Sequence, residues 1–281
     1  MKLFKNIICY LPLLAIGLLA SCSQDADPVP VNEVEGLKLI TSFAKENRTV
    51  ELYSVTGKLT TGYNEVFFRI KNPDSSTIAN STKTTWAPTM KMADSSHSCP
   101  ASEVFTKAGT SSLFGGFIIF PMAGNGEEHW ELTISYSAGG SNFSLAGKIP
   151  VEAASKRVVE SFEGKDGQKY IIAMVDPAKP AVGPNDMSAL LYRMNSSGGF
   201  EPVTGYNIKI DPRMPAMNNH GSINNVDLSY KDGAYNGRVS LTMAGYWKIN
   251  LQVANEKGEV IKGEPVTESN KGSSIFFEIE L

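Results

Sequence analysis

The segment that decides the fold of this chain is VSLTMAGYWKINLQV, which spans residues 239–253. Apolar side chains alternate with polar ones on both sides of a Met-Ala-Gly corner at residues 243–245. Successive side chains of a β-strand point to opposite faces of the sheet, so this alternation predicts two strands that each bury one face. Leu241 is expected to face the core before the corner, and Trp247 after it.

Short runs of β-type sequence occur elsewhere along the chain, and none shows sustained helical periodicity. Clusters of Gly, Asn, Ser and Pro separate the runs, as expected for turns between strands. The runs lie at residues 50–53, 66–70, 117–120, 131–136, 170–172, 189–192, 206–210 and 275–281. The sequence therefore predicts an all-β fold.

An earlier, degraded copy of the deciding segment indicates an internal repeat. The matching residues, at offsets of 119 to 123, are Ser42-Phe43 with Ser161-Phe162, Gly62-x-Asn64 with Gly183-x-Asn185, Met122-Ala123-Gly124 with Met243-Ala244-Gly245, and His97 with His220. Two tandem domains are predicted, over residues 37–151 and 152–281, with the division near residues 151–155, which lack strand character. Units of about 120 residues with roughly seven strands are typical of immunoglobulin-like β-sandwiches.

The N-terminal sequence is typical of an export signal. Lys2 and Lys5 precede an apolar run over residues 7–19, which is too short for an ordinary membrane span. The run leads into Leu-Ala-Ser-Cys at residues 19–22, and in this it resembles a bacterial lipoprotein signal. That resemblance implies removal of residues 1–21, lipidation of Cys22 and a tether over residues 22–36. The anchor would hold the protein in the cell envelope, at the outer membrane.

Charge and cysteine content narrow the function classes. A net charge of −3 and a sequence pI of about 5.7 offer no basic surface to a nucleic acid. Cys99 is the only cysteine outside the signal and the lipidation position, so a disulfide framework within the chain is excluded. Cys99 is either a buried thiol or, together with its neighbour His97, a thiolate metal ligand.

Three potential metal ligands lie close together in the second predicted domain. Met214, Met217 and His220 follow one another at intervals of three residues. Pro212 and Pro215 lie in the same segment and argue against a regular helix or a central strand, so we expect an irregular polar loop. Such a loop leaves the methionines little core to fill. Because thioether sulfur and imidazole nitrogen suit monovalent copper, the loop is a candidate Cu(I) site.

Further methionines are weighed in the same way. Met243 at the corner is a fourth candidate ligand, although a methionine on a strand face also commonly packs in the core. The corresponding candidates in the first copy are Met90, Met92, His97 and Met122. The methionines of the second domain without counterparts in the first, which we interpret as core residues, are Met174, Met187 and Met194.

The second copy resembles the YtkA-like and FixH-like family of small exported β-domains. The residues that carry the resemblance are Met214-x-x-Met217-x-x-His220-Gly221, Gly233-Ala234-Tyr235-Asn236-Gly237 and Leu241-Thr242-Met243-Ala244-Gly245-Tyr246-Trp247. The resemblance implies a β-sandwich and an association with copper handling, through a copper efflux or oxidase-assembly partner, without established catalysis. The ligands that it implies are Met214, Met217, His220 and Met243.

The first copy departs from this pattern. Its loop between Met92 and His97 is longer, and Ser98 stands where the second copy has glycine. An insertion that contains His129 precedes Trp130. These changes leave two interpretations of the first copy, a structural partner or a second, weaker metal site.

Sequence motifs of enzymes are missing: the chain contains no His-Glu-x-x-His, no Gly-x-Ser-x-Gly and no phosphate-binding loop. We therefore expect a non-catalytic envelope lipoprotein that binds a soft metal, Cu(I), for buffering or delivery. The alternative is a metal-free β-sandwich scaffold whose loops recognise a protein or glycan partner.

Overall fold

Residues 32–281 are described by a computed structural model, and their regular structure is almost entirely β-strand. The first half contains β1 (Lys38–Lys45), β2 (Arg48–Ser54), β3 (Leu59–Thr60), β4 (Gly62–Lys71), β5 (Thr84–Lys91), β6 (Ser96–Ser98), β7 (Phe105–Thr106), β8 (Phe114–Phe120), β9 (His129–Ala138), β10 (Ser141–Ile149) and β11 (Val151–Glu152). The second half contains β12 (Val159–Glu163), β13 (Lys169–Asp176), β14 (Gly183–Met194), β15 (Phe200–Pro202), β16 (Asn207–Met214), β17 (His220–Gly221), β18 (Val226–Lys231), β19 (Ala234–Leu241), β20 (Tyr246–Ala254), β21 (Val260–Lys262) and β22 (Phe276–Glu280). The one helical element within residues 32–281 is a 3₁₀ turn over Pro215–Met217. The predicted all-β fold is confirmed.

The first half forms a two-layer sandwich with an immunoglobulin-like strand order. One sheet runs β1-β2-β4-β8-β7, and the other runs β10-β9-β5-β6. When β2, β4, β8 and β7 are equated with the immunoglobulin strands A, B, E and D, the strands β5, β9 and β10 take the places of C, F and G. The additional strand β1 lies at the sheet edge, antiparallel to β2.

The second half repeats this order. Strands β13, β14, β19 and β18 are neighbours as A, B, E and D, and β16, β20 and β22 take the places of C, F and G. Strand β12 is the extra edge strand, as β1 is in the first half. A short pairing of β16 with β18, at Ile208 and Leu228, joins the two layers. The predicted immunoglobulin-like sandwich is confirmed and occurs twice along the chain.

Each sandwich encloses its own hydrophobic core, to which a tryptophan on strand F belongs. Trp130 on β9 and Trp247 on β20 are fully buried. The residues buried on the same face of β20 as Trp247 are Ile249, Leu251 and Val253, as the alternating sequence predicts. A third, smaller cluster contains residues of both halves, among them Ile119 of β8 and Ile171 of β13. The two sandwiches therefore also share apolar surface.

The repeated Gly-x-Asn sequence closes the same loop in both halves. The side-chain amide of Asn185 donates to the carbonyl oxygens of Ala181 and Gly183, at 2.8 and 2.9 Å, and its oxygen accepts from the Ala181 amide at 2.8 Å. Asn64 makes the corresponding three bonds, with Thr60 and Gly62. Both glycines have positive φ, which a residue with a side chain rarely adopts. The repeat therefore encodes a turn before strand B.

Two details of the backbone differ from the expectations. Residues 151–152 were expected to lack strand character, but they form β11, which lies parallel to β3 of the first sandwich. The division at residues 151 and 152 into two independently folding domains stays a prediction.

Strand β16 also continues through Pro212 to Met214, where an irregular loop was expected.

Pro212 is tolerated in β16 because of the side on which its nitrogen lies. The carbonyl oxygen of Pro212 accepts from Ser222, on the side away from β20. In an antiparallel strand the N–H and C=O of one residue point to the same side, so the proline nitrogen also faces away from β20. On that side β16 is paired only over short stretches, with β17 and β18. The N–H group that proline lacks would have had no ladder partner there, so its absence costs little stability.

Candidate soft-metal site

The predicted ligands of the second domain lie at one end of its sandwich. Met214 is the last residue of β16 and is only 5% exposed, so the expectation of a loop position is wrong for this residue. His220 on β17 is its direct partner across the sheet. Met217, on the 3₁₀ turn between them, is 53% exposed. The structure therefore brings Met214 and His220 together and leaves Met217 at the surface beside them.

The corner between β19 and β20 approaches the same place. A Cβ atom placed on Gly245 would lie 3.0 Å from the terminal methyl group of Met214, so this side chain packs against the corner. Gly245 has a φ of 126°, which favours glycine. Met243, two residues earlier, packs half-buried against the same core. The corner thus carries the fourth candidate ligand to the end of the sandwich that holds Met214.

The main chain of Met243 has a structural role of its own. Its carbonyl oxygen accepts a 3.0 Å hydrogen bond from the indole nitrogen of the buried Trp247. Met122 in the first sandwich accepts the equivalent bond from Trp130, at 2.9 Å. A buried indole N–H needs an acceptor, and this need accounts for the recurrence of the corner before the tryptophan. The thioether of Met243 takes no part in that bond.

The arginine next to the turn is paired with a carboxylate. Arg213 forms a salt bridge with Asp211 at 2.6 Å, and its hydrogen bonds to that carboxylate raise the pKa of the guanidinium. Its side chain lies against Gly221, because a Cβ there would be 3.0 Å from Nη1. Arg213 is therefore a partner of Asp211, and its charge is neutralised beside β17.

The candidates of the first copy are in different surroundings. Met90 is fully buried in the core, opposite His97 across β5 and β6. Met92 is half-buried, and its sulfur accepts a 3.7 Å hydrogen bond from Ser95. His97 packs against Trp130 in a T-shaped pair of rings, with 5.7 Å between ring centroids. The structure therefore assigns Met90 to packing and leaves His97 at the margin of the core.

Met122 and His97 lie in one cleft with residues of the second sandwich. The cleft has a volume of about 490 Å³. His97 and Met122, which is 36% exposed, line it from the first sandwich, and Met194 at the end of β14 lines it from the second. The interpretation of Met194 as a core residue is wrong, because β14 carries it past the core to the cleft between the sandwiches. Met187 is buried as expected.

Cys99 is a buried thiol. It belongs to the core of the first sandwich, and burial raises the pKa of its thiol well above the usual value. The thiol is therefore protonated at neutral pH, which favours the packing role over the thiolate ligand.

The histidine, cysteine and carboxylate side chains form no metal-binding cluster among themselves. Within residues 32–281, no group of three or more His, Cys, Asp and Glu side chains is placed to hold a metal ion. The same residues contain no helix that is long and apolar enough to cross a membrane. The predicted signal peptide and Cys22 lie outside the described residues.

Comparison with known sequences finds a family match within the second half. Residues 164–252 match the YtkA-like family model. This segment contains all four candidate ligands of the second domain and covers less than a third of the chain. The predicted likeness of the second copy to YtkA-like proteins is thereby confirmed, and its likeness to FixH-like proteins stays a prediction. No curated protein matches the chain.

Two solved structures are similar to the chain at low identity. The Escherichia coli adhesin FdeC is 13% identical, with a TM-score of 0.24, and the match covers 79% of this chain and 73% of the adhesin. A chimeric titin Z1Z2 tandem that carries a fibronectin peptide is 8% identical, with a TM-score of 0.18 over 79% of this chain and 93% of the tandem. Neither score is high enough to support an argument about this protein.

Proposed function

We propose that this protein is a lipid-anchored envelope protein that binds Cu(I) at the end of its second sandwich, for buffering or delivery, without catalysis. The observation that supports the proposal is the direct pairing of Met214 with His220 across β16 and β17. Met217 lies on the turn that joins these two residues, and Met243 lies on the corner against which Met214 packs. Four soft or nitrogenous donors therefore belong to one end of one sandwich.

The chemistry of the four side chains fits the metal. Thioethers are neutral and need not lose a proton, so they hold Cu(I) without the pH dependence of a thiolate site. His220 is exposed and supplies one imidazole. Met214 would supply a sulfur from the edge of the core, and the exposed Met217 would close the site from solvent. A partner that removes the metal would first meet Met217.

A Cu(I) competition experiment tests the proposal. The purified protein is titrated against a Cu(I) chelator under anaerobic, reducing conditions, together with Met217→Leu and His220→Ala. Each variant should bind at this site tenfold or more weakly, which corresponds to about 1.4 kcal/mol per decade. Met187→Leu is the matched control, because Met187 lies in the same core away from the site, and its affinity should equal that of the wild type. If all four proteins bind copper equally, or none binds it, the metal proposal fails.

The anchor is tested separately at Cys22. Cys22→Ala should prevent acylation, so the protein should accumulate unprocessed or soluble and leave the detergent-extracted membrane fraction. Incorporation of labelled fatty acid by this variant would contradict the assignment. The outer membrane as the final location, and a copper efflux or oxidase-assembly system as the partner, belong to the same proposal.

A metal-free binding protein is the second candidate, and one observation favours it. Met217, Ile223 and Val226 are exposed along a single segment, and Ile223 is 71% exposed. Exposed apolar side chains on a loop suit contact with a protein or glycan partner. If the protein binds no copper, this candidate replaces the first.

A further inference from the structure

The cleft between the two sandwiches brings together three soft donors that the proposed copper site does not use. His97 lies on β6, Met122 follows β8, and Met194 ends β14, and all three line the same space of about 490 Å³. His97 and Met122 belong to the first sandwich, and Met194 belongs to the second. The sequence repeat could not predict that these three residues share a cleft, because Met194 has no counterpart in the first copy.

Trp130 places the two donors of the first sandwich beside each other. Its ring and that of His97 form a T-shaped pair, at an angle of 88° between the ring planes. Its indole nitrogen donates to the carbonyl oxygen of Met122 at 2.9 Å. Because one fully buried ring contacts both the His97 ring and the main chain of Met122, these two lining residues lie near each other in the cleft wall.

A hydrogen bond between the sandwiches brings the third donor close. Ser98, next to His97, donates from its hydroxyl to the carbonyl oxygen of Gly198 at 2.8 Å. Gly198 lies in the turn of the hairpin in which Met194 pairs with Phe200. This bond ties the turn of the Met194 hairpin to β6. The two walls of the cleft are therefore fixed to each other at the strand that carries His97.

The hydrogen bond of His97 leaves one ring nitrogen available. Nδ1 lies 3.1 Å from the carbonyl oxygen of Ser98, which can only accept a hydrogen bond. Nδ1 therefore carries the proton and donates it, and in the neutral ring Nε2 keeps its lone pair. A backbone carbonyl that orients the imidazole in this way is a common feature of metal-binding histidines.

The charges that line the cleft balance each other. Glu163 and Lys169 face one another across β12 and β13, and both contribute to the wall. The remaining lining is largely apolar, and Phe162 and Phe200 belong to it. An overall neutral cleft with thioether and imidazole donors favours a soft monovalent cation over a hard divalent one.

We propose that this cleft is a second Cu(I) site, with Nε2 of His97 and the sulfurs of Met122 and Met194 as its ligands. The metal would bridge the two sandwiches. This site goes beyond the proposed function, since it shares the metal with the second-domain site but none of its residues. Either site can exist without the other.

The number of Cu(I) ions bound distinguishes the two sites. The full protein, the double variant Met122→Leu/Met194→Leu and Met217→Leu are titrated anaerobically against a Cu(I) chelator, and bound copper is measured by elemental analysis. Met174→Leu serves as the control, because this half-buried methionine packs on the second core outside the cleft. The wild type and the control should bind two ions, and the double variant should lose one of them or bind it at least tenfold more weakly.

Each outcome has a defined meaning. If the double variant binds as many ions as the wild type with equal affinity, the cleft proposal is overturned, whatever Met217→Leu does. If the double variant binds no copper while Met217→Leu binds as many ions as the wild type with equal affinity, the cleft site stands and the second-domain site fails. If no variant or wild type binds copper, both proposals fail.

Hydrogen exchange provides a readout that does not depend on affinity. Copper in the cleft should slow amide exchange in the hairpin turn, residues 195–199, of the wild type and of Met217→Leu. The double variant should show no such protection. Protection that persists in the double variant would also overturn the proposal.

Discussion

The indole nitrogen of Trp247 donates a hydrogen bond to the main-chain oxygen of Met243, four residues earlier in the chain. Trp130 donates to Met122, eight residues earlier, because an insertion lengthens the corner of the first sandwich. The bond is preserved although the spacing differs. In each sandwich, the repeated order of Met-Ala-Gly and tryptophan therefore preserves a hydrogen bond to the buried indole N–H. The methionine side chains take no part in this bond and remain available for another role.

Replacement of Trp247 should destabilise the protein. Trp247→Phe leaves a cavity in the core and removes the donor to Met243, so the free energy of unfolding should fall by roughly 2–4 kcal/mol. Met243→Leu keeps the carbonyl oxygen and most of the volume, and should cost less than about 1.5 kcal/mol. Urea unfolding of both variants measures the difference. Equal losses would show that the hydrogen-bonded corner contributes little.

Asn64 and Asn185, at the start of strand B in each sandwich, should contribute equally to stability. Asn64→Ala and Asn185→Ala each remove three hydrogen bonds to the main chain, and each should lower the free energy of unfolding by about 1–3 kcal/mol. Asn142→Ala, in the exposed hairpin of the first sandwich, is the control. If only one of the two replacements lowers the free energy of unfolding, the repeat does not preserve the stabilising role of this turn.

Glu51 should make the first sandwich sensitive to acid. Burial raises the pKa of this carboxyl group, but hydrogen bonds from Lys71, Arg69 and Tyr53 outweigh it and lower the pKa from 4.5 to about 2. The stability that the lowered pKa contributes is therefore complete above pH 4.5 and is lost as the pH falls towards 2.

The variant Glu51→Gln checks this pH dependence. Its free energy of unfolding at pH 7 should be lower by about 2 kcal/mol, since the Glu51 side chain is only 16% exposed. The difference from the wild type should shrink as the pH falls from 4.5 towards 2. Thermal unfolding at several pH values measures it, and a constant difference would contradict the assigned pKa.

Glu33 should hold the start of the described chain against the first sandwich. Its carboxylate accepts hydrogen bonds from the amides and hydroxyls of Ser111 and Ser112. Burial raises its pKa, but these bonds lower it to about 2, so the contact should persist at neutral pH and weaken below pH 4.5. Glu33→Ala should accelerate amide exchange at both serines. Glu35→Ala, at an exposed position, should leave both rates unchanged.

Cys99 should be unreactive in the folded protein. Its thiol is buried and its pKa is raised by that burial, so a thiol reagent at pH 7 should label it only as fast as the protein unfolds. The rate of labelling with and without urea checks this. Rapid labelling of the native protein would restore the interpretation of Cys99 as a reactive or metal-binding thiolate.

Local sequence was sufficient for the strands and for the twofold repeat. The alternation over residues 239–253 predicts which face of each strand is buried, since the period of two is a property of the strand itself. The offset between Asn64 and Asn185 predicts two units of one architecture, because each asparagine closes a turn within its own loop. The family resemblance of residues 164–252 rests on the same local order.

The candidate site was predictable only in part. Met217 and His220 lie at the surface as a polar loop requires, whereas Met214 lies in a strand that two prolines were expected to interrupt. A proline excludes a strand only where its missing N–H faces a partner, and which side of β16 is paired depends on the strands beyond it.

What the sequence by itself determined is therefore local: the alternation of Trp247 and its neighbours, the turns at Asn64 and Asn185, and the identity of the soft donors. Only the tertiary structure decided which donors share a cleft. His97 and Met194 come from different sandwiches, and their presence in one cleft depends on the Ser98 bond to Gly198 and on the packing of one sandwich against the other. Contacts between segments that are far apart in sequence form only between the surfaces of folded sandwiches, and the periodicity of one strand does not predict them.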